Sequence, residues 1–291
     1  MKKLLLFFIS TIFLLSSCSS EHDNRLKISA TTWIGYTPFF YAKEKGWLEP
    51  LDIKLLYISS LAENMYLYEA GNTDAFTGTQ YEYTILHEDV KSLTPIMLLD
   101  KSNGGDLVMS NVSVKKLQET QSEIDVFLEV DSVNYTILKD FLALYKLEDK
   151  KIHYKNMDQT QIKLLKSTST PTVIITYIPY NLALEKSGFK EIASTKDSLN
   201  LLVIDALFTR TDILEAHEKQ FEALKVLIDR AIVDLKKDPK AFYEIVKPYI
   251  LEMSYQEFLS SMNDIVWINK KISPKLKRRM LQADIPTRDL L

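Results

Sequence analysis

From Leu26 onward the chain alternates short apolar runs of β type with helical patterns of about 10–15 residues, the order of a parallel or mostly parallel α/β fold. The first unit is the clearest. Residues 26–30 read as a strand and 33–36 as a loop. Thr37 then reads as the cap of a helix, with Pro38 at its first position and Gly46 just past its end. Strands at 53–58, 74–77 and 95–99 follow, separated by helices at 61–70 and 80–87. Two adjacent glycines in 101–106 mark a turn-rich crossing into a second set of elements. That set comprises strands at 107–109, 124–130, 152–154 and 172–177, with helices at 132–147 and 159–166. A polar stretch at 195–200 precedes the apolar strand 201–208 and reads as the return crossing.

The remainder reads as helix. Phe221, Leu224, Leu227, Ile228, Ala231, Ile232 and Leu235 fall at three- and four-residue spacing within 213–237, one apolar stripe. Asp238-Pro239 starts another helix, Ser254 caps a third running to about 268, and Pro274 opens a fourth. Such a tail is expected to pack back on the first lobe as a brace.

Ahead of this body, Lys2-Lys3, an apolar run over 4–15 and Ser16-Ser17-Cys18 form a secretory signal. The apolar run is shorter than the roughly 20 residues of a membrane span. Leu15-Ser16-Ser17-Cys18 resembles a bacterial lipobox, and Cys18 is the sole cysteine, so we expect it to be the lipid attachment point. The expected division is therefore a signal peptide at 1–17, a lipidated tether at 18–24, a first lobe from 25–102 and 200–291 with the helical tail, and a second lobe at 103–199. With Cys18 acylated no disulfide is available, and the core alone must hold the fold. A net charge of -3 argues against nucleic acid as a partner, because phosphate binding needs a basic face.

Little in the chain suggests catalysis. His22, His87, His153 and His217 are isolated, and no paired spacing suggests a metal site. There is no nucleophile elbow, P-loop or dinucleotide fingerprint. No enzyme activity and no cofactor are expected. Positions beyond the carboxyl ends of the strands, where α/β sheets place ligands, carry a more suggestive set. They are Trp33, Gly35 and Tyr36, then Ser59, then Thr77, Gly78 and Thr79. From the second lobe come Asp131, Ser132 and Tyr177. Hydroxyls and free helix N–H groups there suit a small polar ligand. Singly, each is equally a helix cap or a core aromatic; Trp33 in particular reads either as cleft floor or as packing beneath its loop.

The segment 32–46, Thr-Trp-Ile-Gly-Tyr-Thr-Pro-Phe-Phe-Tyr-Ala-Lys-Glu-Lys-Gly, resembles the opening motif of substrate-binding proteins of nitrate/sulfonate/taurine and thiamine-precursor ABC transporters. The stretches 70–75, 102–106 and 176–180 resemble later motifs of that family, in order along the chain. The resemblance implies a type II periplasmic-binding-protein fold: two lobes joined by two strands, ligand in the cleft, usually a monomer. The chain departs from the pattern in lacking a glycine-rich turn near 117–122 and in carrying Thr172-Val173 where relatives often have Asp-Ala. Of the arginines, Arg210 alone falls near the expected cleft, whereas bound sulfonates and carboxylates often use a bidentate arginine. Aromatic residues with Glu82 and Asp131 lean instead toward a heteroaromatic, zwitterionic or amine-bearing ligand. The leading expectation is a lipid-anchored protein that captures a small nitrogen- or sulfur-containing organic solute by hinge closure and hands it to an ABC permease. A sensory lipoprotein signalling to a membrane receptor kinase or cyclase is the alternative. Enzymes of menaquinone-precursor and pyrimidine synthesis share the fold, but an export signal does not suit their cytoplasmic substrates.

Overall fold

The computed structural model describes residues 24–282 and 284–286. The signal peptide, Cys18 and the tether through residue 23 lie outside the described residues.

Near-continuous burial makes β1 (Leu26–Thr31) a central strand, covered on both faces. It pairs in parallel with β2 (Ile53–Ile58), Leu26 opposite Ile53, and with β3 (Ala75–Thr79), Ile28 opposite Ala75. The intervening helices are α1 (Thr37–Glu44) and α2 (Leu61–Glu69), and α3 (Gln80–Asp89) leads to β4 (Leu93–Ser102). Asn103, Gly104 and Gly105 then carry the chain into a second sheet at β5 (Asp106–Ser110). Gly104 has φ +122, a conformation that L side chains rarely adopt. A Cβ on Gly105 would lie 2.4 Å from the Trp33 ring, so the first-strand loop seats directly on the crossing.

The second sheet adds α4 (Val114–Glu119), β6 (Ile124–Leu128), α5 (Val133–Leu144), β7 (Ile152–Asn156), α6 (Gln159–Ile162), β8 (Thr172–Tyr177), α7 (Asn181–Lys186) and β9 (Lys190–Ser194). The chain returns to the first sheet at β10 (Ile204–Arg210). Strand orders are β11-β4-β10-β3-β1-β2 and β7-β6-β8-β5-β9. Both sheets are mixed, because β10 and β5 enter antiparallel to their neighbours after each crossing. The two crossings lie side by side: Thr195 Oγ1 sits 2.7 Å from Ser102 Oγ and accepts from Gly104 N at 2.9 Å. The α/β architecture with two sheets, two crossings and a helical end is that expected from the sequence.

Several boundaries differ from the sequence reading. Thr37 is the first helical residue, not the cap; a single helical turn at Ile34–Tyr36 runs straight into α1, and the Thr37 hydroxyl donates back to the Ile34 carbonyl at 2.7 Å. β3 reaches Thr79 where the sequence suggested 77. The helix from Ser254 stops at Ser261, and Ile265–Trp267 forms β11 against β4. Sheet-edge hydrogen bonds there override a helical pattern too short to hold its own stripe.

The tail forms α8 (Thr211–Lys237), α9 (Pro239–Val246), α10 (Tyr255–Ser261) and α11 (Pro274–Gln282). The predicted stripe is the buried face of α8: Phe221, Leu224, Ile228, Ala231, Ile232 and Leu235. α8 and α9 pack on α1, where Tyr41 stacks on Phe242 with centroids 4.4 Å apart and planes within 10°. The tail thus braces the first sheet. Among the described residues no helix is long and apolar enough to cross a membrane. Phe242→Ala is expected to cost about 3–5 kcal/mol, the usual cost of emptying a buried phenylalanine. Urea unfolding followed by circular dichroism measures this, and the cleft, built from other elements, should keep its ligand affinity.

Candidate ligand-binding cleft

Both crossings open onto the line where the two sheets face each other, and polar side chains from both converge there. Trp33 and Tyr36 follow β1, Thr79 ends β3, Asp205 lies on β10, and Asp106 and Tyr177 face them from β5 and β8. Together with Leu61, Val133 and Val203 they line a small interior cavity. Only about 10 Å³ of it admits the centre of a water-sized sphere, room for about one water. By the same measure a groove of about 590 Å³ lies outside it, lined in part by Ser60, Glu63, Tyr66, Glu129, Asp131 and Asp158.

Contacts across the cleft hold it closed. The Tyr180 hydroxyl donates to the Ser59 carbonyl at 3.0 Å, the Ser60 hydroxyl to Glu129, and the Tyr66 hydroxyl to Asp131 at 2.8 Å. Trp33 meets Tyr177 edge to face, centroids 6.0 Å apart. Deepest lies Glu82. It accepts from the Thr79 N–H at 2.7 Å and hydroxyl at 2.6 Å, closing a capping box on α3, and its other oxygen accepts from Val133 N, the first residue of α5, at 3.0 Å. One carboxylate therefore occupies two helix N-termini from opposite sides.

A second acidic group lies beside it. Asp100 on β4 stands opposite Asp205 on β10 in the strand register, and both are almost fully buried. Trp33 Nε1 donates to Asp100 at 3.2 Å and the Tyr36 hydroxyl to Asp205 at 2.5 Å. Each carboxylate keeps its other oxygen without a hydrogen bond from the protein, as does Asp106. Gly35 explains itself here, since a Cβ would fall 1.9 Å from the Asp100 carboxylate oxygen. Burial raises Asp100 and, with the facing Asp100 charge, drives Asp205 well above the ordinary carboxylate range. Burial likewise pushes Asp106 and Glu129 up to about 7. Burial also raises Tyr36 and Tyr177, helped for Tyr36 by Asp205 and for Tyr177 by Tyr180, so both phenols stay neutral.

Of the residues expected from sequence, Trp33, Tyr36, Thr79 and Tyr177 line the cavity. Ser59 offers its carbonyl to the Tyr180 bridge; Ser132 caps α5 through Asn134 N and donates to the Glu129 carbonyl. Asp131 is exposed at the outer groove. Thr77 and Gly78 are buried within β3, away from the cavity wall. Arg210 is not at the cleft: it ends β10 on the far side, exposed and held by both carboxylate oxygens of Asp212 at 2.9 and 3.1 Å. Sequence reasoning passed over Asp100, Asp106 and Asp205. Their signal was a lone carboxylate inside or beside an apolar strand, which is costly unless it serves a site.

No family model and no curated relative matches this sequence. Solved structures match its fold. The ligand-binding component of an ABC-type import system from Staphylococcus aureus, with zinc bound, aligns at a TM-score of 0.70 with 13% identity over 89% of this chain and 91% of that one. The alkanesulfonate-binding protein SsuA from Xanthomonas axonopodis pv. citri, bound to MOPS, aligns at 0.67 with 12% identity over 89% and 91%. The periplasmic nitrate-binding protein NrtA from Synechocystis PCC 6803 aligns at 0.60 with 14% identity, over 80% of this chain and 68% of that one. The chain therefore has the periplasmic-binding-protein fold, and at these identities the likeness is one of fold.

Asp106 sets a pH dependence. Folded, it keeps its proton to about pH 7, whereas an unfolded aspartate releases it near 3.9. Between those values the folded state binds more protons, so stability falls as pH rises through this window. The loss continues as Asp100 and Asp205, also raised, give up theirs. Urea midpoints of the protein alone are expected to decline from about pH 4 to about pH 8, and Asp106→Asn to flatten the decline.

Proposed function

We propose that this protein is an extracytoplasmic solute-binding lipoprotein that captures a small organic solute by hinge closure and delivers it to an ABC permease. The observation that carries this reading is the meeting of both sheets on one buried polar cleft, beside two adjacent crossings that serve as the hinge. The first lobe comprises 25–102 and 200–291, and the second 103–199. Opening breaks the hydrogen bonds from Tyr180, Ser60 and Tyr66 and the Val133–Glu82 bond; solute entering the open cleft bridges the two sheets and shifts the population toward the closed form. The bound structures of similar fold hold small molecules or ions at TM-scores of 0.67 and 0.70, which supports a binding role over a catalytic one. The family motifs at 32–46 and 102–106 fall on the cleft loop and the first crossing, the places such a role needs. The protein works as a monomer held to the membrane through Cys18.

Thermal unfolding in a library of small organic solutes at millimolar concentration tests capture, since a binder at 100 times its Kd stabilises by about 2.7 kcal/mol. A library without a single stabiliser overturns it. Trp33 lies at the joint of cavity, Asp100 and Gly105, so Trp33→Ala is expected to weaken the best binder about 10-fold or more, or roughly 1.4 kcal/mol. Calorimetry measures this, and an affinity within twofold of the parent removes Trp33 from the site. Cys18→Ala in the host is expected to move the protein from the membrane to the soluble fraction with loss of acyl mass.

A further inference from the structure

The cleft is acidic from mouth to floor. The residues lining the outer groove include four carboxylates, Glu63, Glu129, Asp131 and Asp158, and no Lys, Arg or His. Those lining the inner cavity include Asp106 and Asp205, again without a basic side chain. A field of one sign, focused by a concave surface, draws ions of the other.

The positions that would hold an anion are already filled. Helix N-termini are the fold's natural anion seats; at α3 the cap Thr79 gives its N–H to Glu82 and accepts the Tyr81 N–H on its hydroxyl, and at α5 the Val133 N–H goes to Glu82. What remains unpaired is acceptor capacity. One oxygen each of Asp205 and Asp106, both 3% exposed, accepts no hydrogen bond from the protein, and both residues form the cavity wall. Asp205 also stands directly opposite Asp100, a pair that becomes like-charged, and destabilises the sheet, once both give up the protons that burial makes them keep. Three aromatic rings, Trp33, Tyr36 and Tyr177, close the same cavity.

We infer that the captured solute is a cation, a small organic amine, amidinium or protonated heterocycle, whose charge sits between Asp205 and Asp106 and whose body lies against Trp33, Tyr36 and Tyr177. The space there now has room for about one water, so the two sheets stand further apart with solute bound than in this structure. This rests on the solute-capture reading above and narrows it to one charge class. The cation supplies the donors that the two free carboxylate oxygens lack, and the ring faces add cation–π attraction. The titratable groups acting on Asp205 from the packed elements are Tyr36, Asp100, Asp106 and Glu82, all neutral or acidic. Those acting on Asp106 are led by Glu82. Cation binding therefore displaces protons from the carboxyl cluster, and affinity rises with pH until the cluster is fully ionised.

A panel of matched probes tests the charge class on the unaltered protein. Methylamine, benzylamine and benzamidine are the cations; benzyl alcohol and benzamide are the neutral counterparts; benzoate and benzenesulfonate are the anions. We expect binding from the cations alone, measured by calorimetry, tightening from about pH 5 to about pH 8 with proton release that scales with buffer ionisation heat. Binding by a neutral or anionic probe with the cations silent overturns the cation assignment and leaves solute capture standing. If all seven are silent, the charge of any stabiliser from the wider library decides in the same way, and a silent library removes capture itself. Asp205→Asn supplies a second readout. It prevents the pair with Asp100 from becoming doubly charged while keeping an acceptor for Tyr36, so the melting temperature at alkaline pH should rise while affinity for the bound cation falls tenfold or more. A merely structural carboxylate would move both downward together. The probe panel needs no variant, so a mutant that fails to fold does not shield the assignment.

Discussion

The carboxylate of Glu82 ties the two sheets together at the deepest point of their contact. It takes the N–H of Thr79, the cap of α3, and that of Val133, the first residue of α5, and it is 1% exposed. A buried carboxylate is costly by itself. Here two backbone N–H groups and a hydroxyl offset the lost hydration, and the two helix dipoles favour the charge. Closure is thus specified in direction as well as in surface: the second half of the molecule can bring only one backbone N–H to that oxygen. The tyrosine and serine bridges nearer the mouth add to a geometry that Glu82 has already fixed.

The first crossing is built on one side chain. Trp33 reaches from the end of β1 to pack on Gly105, donates to Asp100 and meets Tyr177 from the other sheet. Loop, crossing and cleft wall are therefore packed on one another through this one side chain. Gly35 lets the backbone pass the Asp100 carboxylate, and Gly104 turns the chain at a φ that other residues resist. The scarcity of glycine elsewhere agrees with this, since two of the seven lie at the first crossing and a third beside it in space.

The strand–helix alternation from Leu26 to His87 was legible because each unit carries its own punctuation: an apolar run, a cap or proline, a closing glycine. The α8 stripe was legible for the same reason. β9 was not, because Lys190-Glu191-Ile192-Ala193-Ser194 carries charges at its outer end, the habit of an edge strand, and reads as polar linker. β11 is three residues long and exists only through its pairing with β4, a partner more than 160 positions away in the chain. At the cleft, Trp33, Tyr36, Thr79 and Tyr177 were legible as residues just beyond strand ends. Asp100 and Asp205 were not, because their meaning lies in a cross-strand register that no local pattern encodes.

That register is where stability and function pull apart. Two aspartates opposite each other in the middle of a sheet could be exchanged for apolar residues of similar size, and a well-packed pair would relieve both repulsion and desolvation. In the first sheet they accept from Trp33 Nε1 and the Tyr36 hydroxyl, a task that a neutral acceptor such as asparagine would also perform. A local rule broken without structural gain marks a site selected for something other than folding. Asp100 and Asp205 lie on the strands that run out of and into the two crossings, so whatever neutralises them acts beside those crossings. On the cation reading, charge neutralisation and closure are one event: the ligand takes over from the protons that keep Asp100 and Asp205 neutral, and does so only while Asp106 of the second sheet completes its shell. Affinity for the closed state then exceeds that for the open state by the contribution of Asp106 and Tyr177, and that difference is what moves the population.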